Sequence, residues 1–183
     1  VTQMGIPKVG QHPDFLNLID TRESEYYNIT SSFVDIKGST NLYDDYDNEQ
    51  IYIVTNTIQS AAIHTCLVFG GHIQRLEGDG LFSYFGGKTV TEGDALKFAL
   101  TAMSVFTYFV ENDLKRIFEL HGIEDIYTRI GIDIGKNNND VLWAVTGTTE
   151  CFELTTVSKH TSFAKKFQNR AQSNTILVGG NVK

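Results

Sequence analysis

The sequence predicts a single α+β domain in which a central, mostly antiparallel sheet is flanked by helices. The chain has 183 residues, which is long enough for one domain with a real hydrophobic core. Short apolar runs bounded by glycines alternate with two long segments of helical periodicity. The predicted elements follow the order β-α-β-β-α-β-β-α-β, and the first half of this order matches the ferredoxin-like split unit.

The first half of the chain supplies this split unit. Residues 1–27 contain both prolines and show no clear period, so we interpret them as an N-terminal arm or linker and place the folded domain at residues 28–183. A strand at 29–36 precedes a mainly helical segment at 38–69, where apolar residues recur at helical spacing after an acidic break. A hairpin at 72–85 turns at a Gly-Asp-Gly tripeptide.

The second half begins with a long helix at 91–121. Thr91 is its predicted N-cap, with an aspartate three residues later, and Gly122 ends it. An asparagine-rich turn then joins two strands. The remaining predicted elements are strands at 127–134 and 141–146, an irregular loop at 148–159, a helix at 161–171 and a final strand at 175–178.

Composition and charge exclude several classes of function. A net charge of −7 and a pI of about 5.1 argue against a groove for long nucleic acids, which needs a basic face, but are compatible with a single nucleotide. No apolar run approaches the roughly 20 residues of a membrane span, and no signal peptide is visible. Cys66 and Cys151 lack metal-site spacing and indicate core thiols in a reducing compartment. We therefore expect a cytoplasmic protein that binds neither nucleic acid nor membrane.

Two short segments carry the chemistry. Asp35 lies within Phe33-Val-Asp-Ile-Lys-Gly-Ser-Thr40, and Asp79 lies within Gly78-Asp-Gly80. Either segment alone also fits an ordinary turn or helix cap, but Asp35 interrupts an apolar strand, where an unpaired carboxylate is costly. The split unit brings both carboxylates to adjacent strand ends, where they can share Mg²⁺ or Mn²⁺. The glycine turn after Asp35 opens a helix whose free N–H groups suit phosphate, so the pattern predicts phosphoryl chemistry on a nucleotide.

Three blocks of sequence, in order and spacing, resemble the catalytic domain of the class III nucleotidyl cyclases. They are the segment around Asp35, Gln74-Arg-Leu-Glu-Gly-Asp-Gly80 and Thr128-Arg-Ile-Gly-Ile-Asp-Ile-Gly135. The resemblance runs from about Asn28 to the C-terminus and implies the class III cyclase fold. It also implies two divalent cations, Mn²⁺ or Mg²⁺, held by Asp35 and Asp79 with the Ile36 carbonyl. The implied phosphate ligands are the backbones of Lys37, Gly38, Ser39 and Thr40.

The sequence departs from ordinary adenylate and guanylate cyclases at four positions. The base-reading position three residues before the glycine of the second block is Arg75, and its partner position falls on Thr155. The ribose-orienting asparagine and the transition-state arginine of the family align with Ser162 and Lys166. The family's phosphate-clamping lysine lies beyond the final strand, and since the sequence stops at Lys183 we expect that element to be missing or truncated.

These departures resemble the bacterial pyrimidine cyclases of the Pycsar anti-phage system. The resemblance implies a homodimer with shared active sites that converts a pyrimidine nucleoside triphosphate to its 3′,5′-cyclic monophosphate and pyrophosphate. It also implies a separate effector that senses the product as a second messenger. Because arginine only donates hydrogen bonds and uracil has two carbonyls, we expect UTP rather than CTP. Two alternatives remain open: a purine cyclase with atypical base readers, and a degenerate cyclase fold that binds nucleotide without turnover.

Overall fold

Residues 8–182 are described by the computed structural model, so residues 1–7 of the predicted arm and Lys183 of the predicted domain lie outside the described residues. The helices are α1 (Asn17–Thr21), α2 (Leu42–Asp45), α3 (Asn48–Val68), α4 (Glu92–Phe109), α5 (Lys115–Leu120) and α6 (Lys159–Arg170). The strands are β1 (Glu25–Tyr26), β2 (Thr30–Ile36), β3 (Gly71–Glu77), β4 (Gly80–Phe85), β5 (Thr128–Ile134), β6 (Leu142–Gly147), β7 (Phe152–Val157) and β8 (Thr175–Val178). A π-helical turn at Val110–Leu114 joins α4 to α5.

The larger sheet has the strand order β3-β4-β2-β5-β8 and is antiparallel except for the parallel pair β5–β8. A smaller antiparallel sheet has the order β1-β6-β7. This arrangement confirms the predicted α+β class with a mostly antiparallel sheet. It also confirms that the first strand lies directly beside the first hairpin, because β2 pairs with β4.

Side chains alternate between the two faces of the larger sheet and build two apolar clusters. Val34 and Ile36 belong to the cluster under α3, α4 and α5, whereas Phe33 belongs to the cluster shared with α6 and the smaller sheet. Cys66 is buried in the first cluster but Cys151 is exposed, so the interpretation as a core thiol holds for Cys66 only.

Strand β7 occupies the middle of the segment 148–159, which the sequence predicted to be an irregular loop. That prediction was wrong for the residues of β7. Only Leu154 of this strand is buried, while Phe152 and Val157 at its two ends are exposed. In the sequence, apolar and polar residues alternate over no more than the four residues 152–155, which is the shortest run that indicates a half-buried strand. Strand β7 is held by its antiparallel pairing with β6.

The described part of the predicted N-terminal arm is packed against the domain. The Phe15 ring stacks on Trp143 with centroids 4.0 Å apart, and Leu18 of α1 is also buried in the second cluster. The elements that carry these residues are a turn of three residues at Pro13–Phe15 and the five-residue α1. Both are too short to show a helical period, which explains why the sequence indicated an arm.

Helix α3 is, within the described residues, long and apolar enough to cross a membrane by length and composition alone. Asp47 caps it and forms a capping box with Gln50. One stripe of the helix faces the first apolar cluster, as expected for a helix that covers a sheet. The buried residues of this stripe are Ile51, Val54, Ile58, Ala62 and Cys66.

Two neighbouring histidines tie the N-terminal segment to the edge strand β3. The rings of His12 and His72 lie 5.0 Å apart, and His12 contacts the carbonyl of Gly86 through Nε2 at 3.3 Å. Burial lowers the pKa of His12. Burial, with a smaller contribution from the neighbouring His12, lowers the pKa of His72 to about 4. Both histidines are therefore neutral in the folded protein at neutral pH.

Stability is expected to fall as the pH decreases from 6.5 to about 4, the window between the ordinary and the folded pKa of His72. In this window the unfolded chain binds a proton that the folded chain does not. We expect His72→Gln to remove about 2 kcal/mol of the loss, after allowing for the partial exposure of the ring. Urea unfolding at several pH values measures it. His121→Gln, at an exposed histidine, should keep the wild-type slope, and an unchanged slope in His72→Gln would contradict the prediction.

Candidate active site

Asp35 and Asp79 meet at one edge of the larger sheet. The β2–β4 register pairs Val34 with Leu81, so the next step brings Gly80 against Asp35. A Cβ at Gly80 would lie 2.5 Å from the Val34 carbonyl oxygen, which leaves room for glycine only, and 3.2 Å from Oδ1 of Asp35. The negative charge of Asp79, one residue earlier, contributes to raising the pKa of Asp35, as expected for adjacent carboxylates.

Asp35 is fixed by donors from two other elements. Nε and Nη2 of Arg129, on β5, donate to its Oδ2 at 2.9 and 2.7 Å. Nε2 of Gln168, on α6, donates to the same oxygen at 2.9 Å. Burial raises the pKa of Asp35, and the hydrogen bond from Arg129 is the largest effect that opposes it.

Asp79 carries an unsatisfied carboxylate oxygen. Its Oδ2 is buried and has no hydrogen-bond partner among residues 8–182. The residue lines a cleft of about 480 Å³ together with Ser39, Thr40 and Tyr43. A buried acceptor of this kind is costly unless a donor or a cation reaches it. The pair formed by Asp35 and Asp79 therefore fits a divalent cation.

Protein side chains alone do not complete a metal site here. Across the described part of the chain, no group of three or more His, Cys, Asp or Glu residues could hold a metal ion. The Ile36 side chain is buried in the core, so only its carbonyl could coordinate an ion. Continuing the β2–β4 register sets Ile36 opposite Asp79. A cation at this edge would draw its remaining ligands from the main chain, water or a bound phosphate.

The predicted phosphate segment is a tight turn rather than the start of a long helix. Gly38 has φ +73°, and the residues after it form a short 3₁₀ turn at Ser39–Asn41 that leads into the four-residue α2. Ser39 and Thr40 border the cleft of Asp79. Lys37 lies on the opposite side of the turn, where its Nζ donates to Ser173 at 3.2 Å. An anion at this edge of the sheet would therefore bind backbone N–H groups of the turn rather than the N-terminus of a long helix.

Arg75 lies on the exposed edge of β3. A bulge in the β3–β4 ladder turns Gln74 inward and Arg75 outward. The guanidinium of Arg75 donates to both carboxylate oxygens of Glu153 on β7, with Nε 2.9 Å from Oε1. Hydrogen bonding to Glu153 is the main cause that raises the pKa of Arg75. Glu77 adds a longer contact of 3.5 Å.

Glu153 is the residue that sequence reasoning missed. The structure brings Arg75 against Glu153, whereas the predicted partner Thr155 is two residues further along β7 and therefore on the same face of that strand. The available signal in the sequence was an acidic residue only two positions before the predicted partner Thr155. The hydrogen bond between residues 78 positions apart depends on the β3 bulge, which the sequence did not predict.

Helix α6 carries the other two predicted residues on its exposed face. Ser158 caps the helix, and Ser162 donates its hydroxyl to the Ser158 carbonyl at 3.0 Å. Lys166 is exposed, with Nζ 5.7 Å above the Phe163 ring. The neighbouring Lys165 instead binds Glu77 at 2.8 Å and lowers the pKa of Asp35. Ser162 and Lys166 thus face outward, away from the contacts that surround Asp35 in the same chain.

The position of α6 depends on one glycine. A Cβ at Gly131 of β5 would overlap the Ala164 carbonyl and the Gln168 amide nitrogen. The backbone of the helix therefore rests directly on the strand, and this close approach lets Gln168 reach Asp35.

Gly131→Ala is expected to displace α6 and to lower the free energy of unfolding by about 3 kcal/mol, because the overlapping atoms belong to a helix backbone that cannot rotate away. Denaturant unfolding measures the change. Gly93→Ala is the matched control: nothing lies within 4 Å of its Cβ, and alanine in a helix should be neutral or stabilising by up to about 1 kcal/mol. Equal stabilities of the two variants would contradict this reading of the β5–α6 contact.

Comparison with known sequences gives relatives along nearly the whole chain. It is 42% identical to a cytidylate cyclase of Staphylococcus aureus over 174 residues, which are 95% of this chain and 40% of that protein. It is 34% identical to a cytidylate cyclase of Escherichia coli over 181 residues, which are 96% of this chain and 39% of that protein. The chain thus spans about two fifths of the length of these curated relatives. No family model matches the chain.

Solved structures support the same grouping through the fold. The adenylyl cyclase CyaB from P. aeruginosa superposes with a TM-score of 0.78 at 20% identity, covering 87% of this chain and 80% of that chain. The guanylyl cyclase Cya2 superposes with a TM-score of 0.75 at 19% identity, covering 87% and 77%. The chain therefore has the class III nucleotidyl cyclase fold and is related, along most of its length, to proteins called cytidylate cyclase.

Proposed function

We propose that this chain is the catalytic domain of a pyrimidine nucleotide cyclase that converts CTP to 3′,5′-cyclic CMP and pyrophosphate. The observation that carries the proposal is the pair of adjacent carboxylates, Asp35 and Asp79, of which Asp79 has a buried oxygen without a partner. They stand beside a glycine turn that offers backbone N–H groups. Sequence similarity to cytidylate cyclases supports the pyrimidine assignment.

Asp35, Asp79 and the Ile36 carbonyl would hold two divalent cations, Mn²⁺ or Mg²⁺. When bound, such ions lower the pKa of the ribose 3′-hydroxyl and neutralise charge on the triphosphate. The turn at residues 37–40 binds and orients the phosphates through its backbone. Little covalent work then falls to protein side chains, because positioning and electrostatic complementarity account for the rate.

Arg75 and Glu153 together favour cytosine over uracil. The expectation of UTP considered Arg75 alone, but the guanidinium is paired with a carboxylate that only accepts hydrogen bonds. Cytosine offers an amino donor for Glu153 and carbonyl and ring-nitrogen acceptors for Arg75. Uracil has a carbonyl in place of the amino group, which would face the carboxylate without a proton between them. This complementarity supports CTP as the preferred substrate.

A homodimer with two shared sites accounts for the separation of the predicted residues. Asp35 and Asp79 form one group, while Arg75, Ser162 and Lys166 face outward on other elements. In a head-to-tail pair, each site would take its cations from one chain and its base and transition-state contacts from the partner. Lys166 would then stabilise the charge that develops on the phosphate, and Ser162 would orient the ribose.

The decisive experiment is to incubate the purified chain with each of the four ribonucleoside triphosphates and Mn²⁺ and to identify any cyclic product. Cyclic CMP supports the proposal, whereas a purine product would favour a purine cyclase with atypical base readers. Absence of any product, in a chain shown to bind nucleotide, would favour a degenerate cyclase fold. Asp79→Asn is the control for contaminating activity.

Glu153→Gln is expected to lower kcat/KM for CTP by about one to two decades, because a hydrogen bond to a charged acceptor contributes about 1.5–3 kcal/mol. The amide can also donate to the uracil carbonyl, so the ratio of CTP to UTP use should shift toward UTP. Steady-state kinetics with both substrates measure the ratio. Glu150→Gln, at an exposed glutamate of the same hairpin, should leave the ratio unchanged, and an unchanged ratio in Glu153→Gln would remove Glu153 from the base pocket.

The resemblance to Pycsar cyclases extends the proposal to biology. We propose that the product is a cytoplasmic second messenger in anti-phage defence and that a separate cyclic-nucleotide-sensing effector responds to it. Mass spectrometry of nucleotide extracts, before and after phage infection of cells that express the cyclase, tests this role. A cyclic CMP concentration that does not rise on infection would count against it.

A further inference from the structure

We propose that Gln168 is a positioning residue for the cation-binding carboxylate Asp35, and that it acts together with Arg129; this inference rests on the function proposed above. All three hydrogen bonds that Asp35 accepts from described side chains fall on Oδ2. Oδ1 lies on the other side of the carboxylate, toward Gly80 and the Asp79 turn. The donors thus fix the rotamer of Asp35 and leave one oxygen directed at the place where a cation would bind.

Gln168 is built into this contact. Its side chain is fully buried, with 0% exposure, and its backbone is pressed onto β5 at Gly131. Nη1 of Arg129 also donates to the Asn169 carbonyl at 3.2 Å. The last turn of α6 therefore makes two contacts: Gln168 binds Asp35 directly, and the Asn169 carbonyl binds the guanidinium that in turn binds Asp35.

The two donors differ in what they do to cation affinity. Arg129 brings a positive charge, which stabilises the carboxylate but repels a bound cation. Gln168 is neutral and can orient Asp35 without that repulsion. Hydrogen-bond partners that orient metal ligands typically change metal affinity by about 10–100-fold when they are removed. Loss of the Gln168 amide should consequently weaken cation binding even though every direct ligand remains.

The test uses the full chain and Mn²⁺ alone, with binding measured by electron paramagnetic resonance and without substrate or turnover. Gln168→Met keeps the length of the side chain but removes the donor, and about a tenfold weaker Mn²⁺ affinity is expected. Gln172→Met makes the same change at an exposed position and should bind like wild type. If Gln168→Met does not fold, Gln168→Asn keeps an amide that is too short to reach Asp35 and should weaken binding similarly.

Wild-type affinity in a folded Gln168 variant would overturn this inference and leave the proposed function standing. Failure of the wild-type chain to bind Mn²⁺ would instead overturn the cation site, and this inference with it.

Subunit mixing separates positioning of Asp35 from a general distortion of α6, which also carries Lys166. If Gln168→Met acts at the cation end of the site, mixing it with Lys166→Ala should restore activity. Mixing it with Asp79→Asn should not. The opposite pattern would mean that Gln168 acts on the exposed face of α6, and would overturn the proposed role.

Discussion

Asp35→Asn and Asp79→Asn should each abolish turnover, but only Asp35→Asn should lower stability. Each substitution removes a negative ligand from the proposed cation site, so cyclase activity should fall below detection in both. Their surroundings differ, however. Asp35 is the partner of Arg129 and Gln168, whereas Oδ2 of Asp79 is buried without a partner in the described part of the chain.

The stability difference follows from these contacts. The side chain of Arg129 is only 24% exposed, so Asp35→Asn leaves a partly buried cation without its counter-charge and should cost about 2 kcal/mol. Asp79→Asn relieves repulsion between two carboxylates and should raise the melting temperature or leave it unchanged. Thermal unfolding in EDTA measures both changes.

Asp113→Asn, at an exposed aspartate of the π-helical turn, serves as the control for both measurements and should keep wild-type turnover and stability. Wild-type turnover in either Asp35→Asn or Asp79→Asn would show that the two-carboxylate site is wrong. A larger loss of stability in Asp79→Asn than in Asp35→Asn would contradict the assignment of the Arg129 contact.

Local sequence patterns were sufficient to predict the edge that carries the carboxylates. An acid inside an apolar strand and a Gly-Asp-Gly hairpin turn are both local features, and the strand order that joins them follows from the sequence of elements. The final strand at 175–178 and the N-cap at Thr91 were also predicted correctly, because turn and cap residues act on their immediate neighbours.

Contacts between distant residues were beyond the reach of such patterns. Gln168 and Asp35 are 133 positions apart, and their hydrogen bond requires the close approach of α6 to β5 at Gly131. Glu153 reaches Arg75 only because a bulge turns Arg75 outward. Neither the bulge nor the helix–strand distance has a signature in a single sequence, since both are set by packing of the whole domain.

The burial of Asp133 is likewise beyond prediction from local sequence. Nothing in the local sequence indicates that Asp133 of β5 is only 2% exposed. The reason is His160 at the start of α6, whose Nδ1 lies 2.9 Å from Oδ2 of Asp133, together with Gly179, where any Cβ would overlap the carboxylate. A buried polar group is tolerated when a distant residue supplies its partner, and the identity of that partner emerges only from the fold.

The shared-site dimer gives the second large expected effect. Asp79→Asn and Lys166→Ala should each be nearly inactive alone, because the proposed dimer puts Asp79 at the cation end of a site and Lys166 at the end supplied by the partner. Asp79→Asn is the better choice than Asp35→Asn for this experiment, since it leaves the Arg129 ion pair intact.

When the two variants are mixed and exchange subunits, each heterodimer carries both lesions in one site and has a second site without any lesion. If half of the dimers are mixed and each keeps one of two sites, activity should recover to roughly one quarter of the wild-type level. Native mass spectrometry of chains with different tags establishes that exchange has occurred, and turnover of CTP is then measured on the same sample. Mixing Asp79→Asn with Asp35→Asn is the control, because both lesions lie at the cation end and every heterodimer should stay inactive. Exchange without recovery in the first mixture would contradict the shared-site arrangement, and with it the role of Lys166 in the chemistry of the partner subunit.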